Sequence, residues 1–272
     1  LTVKANKRTF IFSKKDGQLK GVSVDNRKIS FANGPRFIGA RRADRSLDQF
    51  YNHDDEKAKE KDRTYSEFPD AAVFTKLDVK EDGGDLIVTA NYKLGNLDKA
   101  QWTINPSGDL ALDYTYNFSG VVDLMGIRFD YPEDQVISKR WLGAGPYRVW
   151  QNRIHGTQYD VWENDYNDPI PGETFTYPEF KGYFGDVSWM NIQTKEGTIS
   201  LTNETPDAYI GVYQPRDGRD RLLYTLPESG ISVLNVIPPV RNKVNSTDLC
   251  GPSSQPKWVN GPQTGRVIFR FM

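Results

Sequence analysis

Cysteine is almost absent from this chain. Cys250 is the only one in 272 residues, so no internal disulfide can form and the redox compartment is left open. Histidine is nearly as scarce, with His53 and His155 the only two. A surplus of one charge sign is lacking as well. Thirty-five Lys and Arg offset 36 Asp and Glu for a formal net charge of −1, which gives neither nucleic acid nor an anionic membrane an electrostatic reason to bind. No apolar run approaches the length of a membrane span, and no charged-then-apolar leader opens the chain. No helical stripe is sustained, which argues against a Rossmann or barrel scaffold. Flexible linkers, low-complexity tracts and internal repeats are missing too. The Gly-x-Ser-x-Gly, P-loop, His-Glu-x-x-His and paired Cys-x-x-Cys signatures are all absent, so the sequence shows no active site of its own.

Aromatic residues are plentiful: 14 Tyr, 14 Phe and 6 Trp, a composition that leans towards strands, where such side chains pack on a pleated face. The dominant pattern has a period of two. Val73, Thr75, Leu77 and Val79 share one face; after Asp82-Gly83-Gly84-Asp85, so do Leu86, Val88, Ala90, Tyr92 and Leu94. Trp102 and Ile104 lead into an Asn105–Asp109 turn, then Leu110, Leu112, Tyr114, Tyr116 and Phe118 alternate. Phe10 and Phe12 near the start, and Val267, Phe269 and Phe271 at the end, do the same. These are antiparallel hairpins with Gly, Asn and Asp at the turns. The one candidate helix lies within residues 47–61. Residues 41–69, 162–183 and 236–265 read as long loops, which in a compact domain carry function or meet a neighbour. One large all-β domain over residues 1–272 is expected, of a size that buries about 75% of its unfolded surface without disulfide or metal. The chain starts at Leu1 and enters strand-like sequence at once, so it reads as a piece of a longer protein.

Residues 141–153, WLGAGPYRVWQNR, are the densest feature. Gly143, Gly145 and Pro146 constrain the backbone to a pre-shaped turn where Tyr147, Trp150 and Arg153 gather. Flat aromatic faces and planar guanidinium donors suit sugar rings and hydroxyls. Trp162, among Asp and Asn, extends this carbohydrate-facing surface, within a wider aromatic set that includes Tyr159, Tyr166, Tyr177, Tyr183 and Trp189. Asp160, Glu163, Asp165 and Asp168 offer oxygen ligands for Ca²⁺, but the fixed spacing and glycine of an EF-hand are missing, and they read as a solvated acidic loop. No cofactor is expected. Glycosidase chemistry needs a carboxyl pair across the scissile bond, and nothing among 36 acidic residues singles one out.

The same run resembles the Gly-x-Gly-Pro-x-Glu-Asn-Tyr-x-Asp-Arg turn in the C-terminal domain of glycoside hydrolase family 2 β-galactosidases. Gly143, Gly145, Pro146 and Arg153 are kept, and Trp150 stands in place of the Tyr. Arg148, Val149 and Asn152 replace the Glu, Asn and Asp. Leu124 to Pro132 is similar to the strand that precedes the turn, though Leu124 stands where the family has Arg. Arg8 to Phe12, Gly34-Pro35 and Arg41 to Asp44 resemble the family's opening strand and its Arg-x-Pro-x-Asp-Asn segment. A pocket-lining Trp on a late loop has no local match at Ser229 to Ser232; Trp258, further on, is the substitute. These departures detach the resemblance from galactose as the specific sugar. The resemblance implies a supersandwich (galactose-mutarotase-like) fold, with the catalytic glutamates on a (β/α)₈ barrel outside this chain. The chain alone would then be catalytically silent, partnered by carbohydrate and by that barrel, with neither nucleic acid nor membrane. The compartment is not fixed; a parent that degrades polysaccharide would be periplasmic or secreted.

Three functional readings follow. The favoured one is an accessory domain of a family 2-like glycosidase that shapes the active-site rim and contacts carbohydrate. The second is a free-standing carbohydrate-binding module, which calls for a coplanar aromatic platform. The third is an independent mutarotase- or lyase-type enzyme. That chemistry uses two histidines and a carboxylate, but neither His53 nor His155 sits in sequence typical of mutarotases, and both read as surface or hydrogen-bonded residues.

Overall fold

Alternation of apolar and polar side chains builds the molecule strand by strand. The computed structural model describes residues 1–42, 65–165, 182–212, 227–239 and 252–272. The chain opens with β1 (Thr2–Ala5), β2 (Arg8–Phe12), β3 (Leu19–Val24), β4 (Arg27–Ile29), β5 (Ala32–Arg42) and β6 (Tyr65–Glu67). It continues through β7 (Val73–Asp82), β8 (Asp85–Lys93), β9 (Leu97–Ile104), β10 (Leu110–Val122), β11 (Leu124–Asp130) and β12 (Val136–Gly145). It ends with β13 (Gln158–Asp165), β14 (Trp189–Thr194), β15 (Gly197–Asn203), β16 (Tyr209–Gly211), β17 (Ile231–Val236) and β18 (Lys257–Phe271). Short 3₁₀ turns at Glu133–Gln135 and Pro252–Ser254 are the only helical elements among the described residues, and no helix there is long and apolar enough to cross a membrane.

Among the described residues these strands form two nine-stranded sheets. The first runs β1-β2-β3-β5-β11-β17-β16, with β4 on β3 and β6 on β5; the second runs β13-β12-β14-β15-β18-β10-β9-β8-β7. All named strand pairs are antiparallel. Phe10, Phe12, Phe37, Ile127 and Phe129 of the first sheet meet Trp102, Leu112, Tyr114, Tyr116, Phe269 and Phe271 of the second in one continuous core. Phe31 stacks on Phe129 at 4.6 Å, and Trp102 meets Phe129 edge-on at 5.9 Å. Tyr116 donates to Asn235 Oδ1 across the sandwich (2.6 Å), because a buried hydroxyl must find an acceptor. Glu196 on the β14–β15 turn ties the layers at one edge, accepting from Ser30 N (2.8 Å), Ser30 Oγ (2.6 Å) and Tyr131 OH (3.2 Å). This is the all-β supersandwich architecture.

Some sequence expectations fall outside the described residues and others are corrected. The helix within residues 47–61 lies outside the described residues, as does His53. At the two ends of 41–69 the expected loop gives way to strand: Arg41 and Arg42 finish β5, and Tyr65–Glu67 returns as β6 beside it, while residues 43–64 lie outside the described residues. Trp162 belongs to β13, and β18 takes in the last part of 236–265. Pro262 conceals that strand in the sequence. It is tolerated because β18 pairs only with β10 at that point; β15 joins from Val267 onward. Leu94 leaves the β8 pattern, exposed and at φ 58°.

Candidate functional site

Gly143 and Gly145 are strand residues, not the turn itself. A Cβ at Gly143 would come within 2.9 Å of Gly185 O, and one at Gly145 would overlap the Trp162 indole. Their role is to let neighbours approach closely, and neither has a positive φ. The turn begins after them, at the cis Gly145–Pro146 bond. Trp141, opposite Trp162 across the β12–β13 ladder, is fully buried and meets Phe184 edge-on at 4.8 Å.

Beyond Pro146 the chain crosses to the outer face of the first sheet. Along β5 and β11, Phe37, Met125 and Ile127 point into the main core. Ile38, Ala40 and Leu124, together with Leu234 of β17, point the other way. Val149, Trp150 and Tyr183 cover them in a second, smaller cluster. Trp150 is only 2% exposed and meets Tyr183 edge-on at 5.6 Å, so its ring has no face left for a ligand. Its assignment to a carbohydrate-facing surface is thereby corrected. The loop supplies the apolar cover that four outward aliphatic side chains require.

The remaining expected residues divide by exposure. Tyr147 is 44% exposed, Trp258 is 71% exposed and Arg153 is exposed; Trp162 is half-buried, donating Nε1–H to Gln158 O (3.2 Å). Gln151 links this loop to the segment that carries Trp258. Its amide nitrogen Nε2 donates to Ser253 O (2.9 Å) and Gln255 O (2.6 Å), while its backbone N–H donates to Pro238 O (3.0 Å). His155 is exposed on the same loop. Asp160, Glu163 and Asp165 stand on a strand, not a loop. Alternation sends Asp160 to the opposite face from Glu163 and Asp165. Asp168, Tyr166, Tyr177 and Cys250 lie outside the described residues.

Sequence reasoning missed a polar array on the outer face of the first sheet. Arg36 of β5 and Arg128 of β11 stand directly opposite each other. Like charges in that position are unfavourable unless offset. Asp130 takes the Arg36 guanidinium and Glu67 takes that of Arg128 (3.3 Å), which also donates to Glu228 O. Asn33, at φ 52°, donates to Asp130 Oδ2 (2.7 Å) and accepts from Lys20 Nζ (3.2 Å). Asp70 lies near both guanidiniums. Burial pushes its carboxyl above the usual range, against the pull of the Ala72 N–H and of the two arginines. A cleft of about 610 Å³ adjoins the array, its walls including Lys20, Lys28, Asn33, Asp130, Pro132 and Glu228. The alternating Arg128-Phe129-Asp130 was the one local signal; its pairing with Arg36 depends on a strand register the sequence does not display.

A sequence profile described as the beta galactosidase small chain matches residues 4–245. Comparison with curated protein sequences finds no match. Among solved structures, an alpha-N-acetylgalactosaminidase from Bifidobacterium bifidum in complex with GalNAc aligns over 100% of this chain and 36% of its own, at 11% identity and TM-score 0.46. A second complex of that enzyme is covered to the same 36%, so the chain spans about a third of the length of these structures. A galactose 1-epimerase from Lactobacillus acidophilus aligns over 100% of this chain and 93% of its own (10% identity, TM-score 0.48). An aldose epimerase homologue from C. elegans does so over 100% and 98% (8% identity, TM-score 0.45). With the profile covering most of its length, the chain belongs to the beta galactosidase small chain family.

Proposed function

We propose that this chain is a non-catalytic accessory domain of a β-galactosidase-like glycoside hydrolase. In this reading it packs on a catalytic barrel, shapes the rim of the active site and contacts carbohydrate. Family membership over residues 4–245 is the observation that carries the proposal. Tyr147, Arg153 and Trp258 present exposed side chains for sugar contact, and half-buried Trp162 stands on β13, the strand that follows the Tyr147–Arg153 loop. Trp150 supports the loop from beneath, and Gly143 and Gly145 let the β12–β13 hairpin close on its neighbours. Contacts of this kind, remote from the reacting bond, lower a barrier by orienting substrate, so their loss costs rate as well as affinity.

The test is calorimetric titration of the chain against galactosides, glucosides and plant-wall oligosaccharides, beside Trp258→Ala and Tyr147→Ala. Affinity about tenfold weaker in either variant, at an unchanged melting temperature, supports aromatic sugar contact. Equal affinity in both variants would remove these residues from the reading.

A further inference from the structure

The outer face of the first sheet is divided along its strands. At Ile38, Ala40 and Leu124 it is apolar and sealed by Trp150 and Tyr183. Two residues further along β5 and four further along β11, at Arg36 and Arg128, it turns polar and opens beside the cleft. Nothing in the core requires the change, because the inward neighbours Phe37, Ile127 and Phe129 are fully packed. Two opposed arginines on adjacent central strands disfavour folding unless charges are placed to offset them. The chain supplies those charges from β6, through Glu67, and from the end of β11, through Asp130. An Asn in the left-handed region adds a further local cost while aiming its amide at Asp130. Costs of this kind concentrate at binding sites.

We propose that Asp130 and Asn33, on the wall of the 610 Å³ cleft, form with Arg36, Arg128 and Glu67 of the adjoining array a binding site for the hydroxyl groups of a neutral sugar. The ligand class follows from the charge pattern. Lys20, Arg36 and Arg128 interleave with Glu67, Asp130 and Glu228, so the surface favours neither an anion nor a cation. It alternates donors with acceptors, as a ring of hydroxyls does. Asp130 and Glu67 remain 48% and 43% exposed at their side chains. A carboxylate has about four acceptor positions, and protein donors occupy only some of those on Asp130 and Glu67. Pro132, exposed on the cleft wall, gives the C–H face of a ring something apolar to lie against. β11, which carries Arg128 and Asp130, is paired with β5 on one side and β17 on the other, which limits the ordering cost of binding.

The inference rests on the carbohydrate reading above for its biological setting, but it places the contact on a different surface from Trp258. The experiment is titration of the chain with lactose, cellobiose and galacturonate, beside Asp130→Asn, Glu67→Gln and Trp258→Ala. The two carboxylate variants are isosteric and surface-placed, and thermal melting checks that they fold. Affinity for a neutral sugar reduced about tenfold by Asp130→Asn or Glu67→Gln, with Trp258→Ala unaffected, supports the site. Loss through Trp258→Ala alone overturns this inference and leaves the aromatic reading standing. Galacturonate binding more tightly than either neutral sugar overturns the ligand class. No binding of any of the three overturns both.

Discussion

At residue scale, Trp150 and Trp258 show how little residue type says about role. One indole is sealed between Tyr183 and the outward aliphatics of the first sheet; the other stands free on β18. Trp150→Ala is expected to cost about 3–5 kcal/mol, as a buried large-to-small change does. Trp258→Ala should stay within about 0.5 kcal/mol of the parent chain. Urea denaturation of the two variants measures both. Acid titration separates two carboxylates in the same way. Arg270 donates to both oxygens of Asp109 (2.7 Å each), and this hydrogen bonding holds Asp109 below its ordinary value. Its contribution is therefore present above the unfolded value, about pH 4, and is lost as pH falls through the depressed folded one. Asp70 has the opposite sign. Burial raises its folded value, so its unfavourable contribution appears as pH rises and is absent in acid. Melting curves across the acidic range should show Asp109→Asn flattening the acid limb and Asp70→Asn removing the loss on its alkaline side. The same sign of change in both variants would contradict this assignment.

At element scale, the longest ladder among the described residues joins β10 to β18, from Leu110 opposite Phe269 to Val122 opposite Lys257. β10 is also bonded to β9, and its inward residues Leu112, Tyr114 and Tyr116 are buried in the main core. β7 closes the same sheet at its end and is exposed over most of its length. Hydrogen exchange should therefore be slowest in β10 and fast in β7, since protection follows burial and two-sided bonding. Comparable protection in the two strands would refute that ranking. β10 was legible from its alternation, as were β2, β8 and the end of β18. β13 was not. Gln158–Asp165 carries polar groups on both faces, and only pairing with β12 makes it a strand. The glycines of β12 were misread for a related reason, because close approach of Trp162 leaves the same mark in sequence as a turn does.

At the scale of the whole molecule, the sandwich presents an exposed aromatic region around the β12–β13 loop and a polar, cleft-bordered array on the first sheet. In the proposed function the chain works joined to a catalytic barrel. By itself it should leave a chromogenic β-galactoside unhydrolysed, while turnover that co-purifies with the chain would point to an active site of its own. Affinity for a neutral sugar should also change little with added salt, because no net charge is neutralised on binding.

The sequence by itself determined the β class, the antiparallel hairpins and the likeness to the β-galactosidase C-terminal domain, because alternation and turn chemistry are local and the Gly143 to Arg153 run is contiguous. Tertiary structure decided which face each strand turns inward, that Trp150 is covered while Trp258 is open, and that Arg36 meets Arg128. Those outcomes depend on pairing between residues 92 positions apart in the chain. Register across such a distance is set by the packing of the whole core, and no local pattern records it.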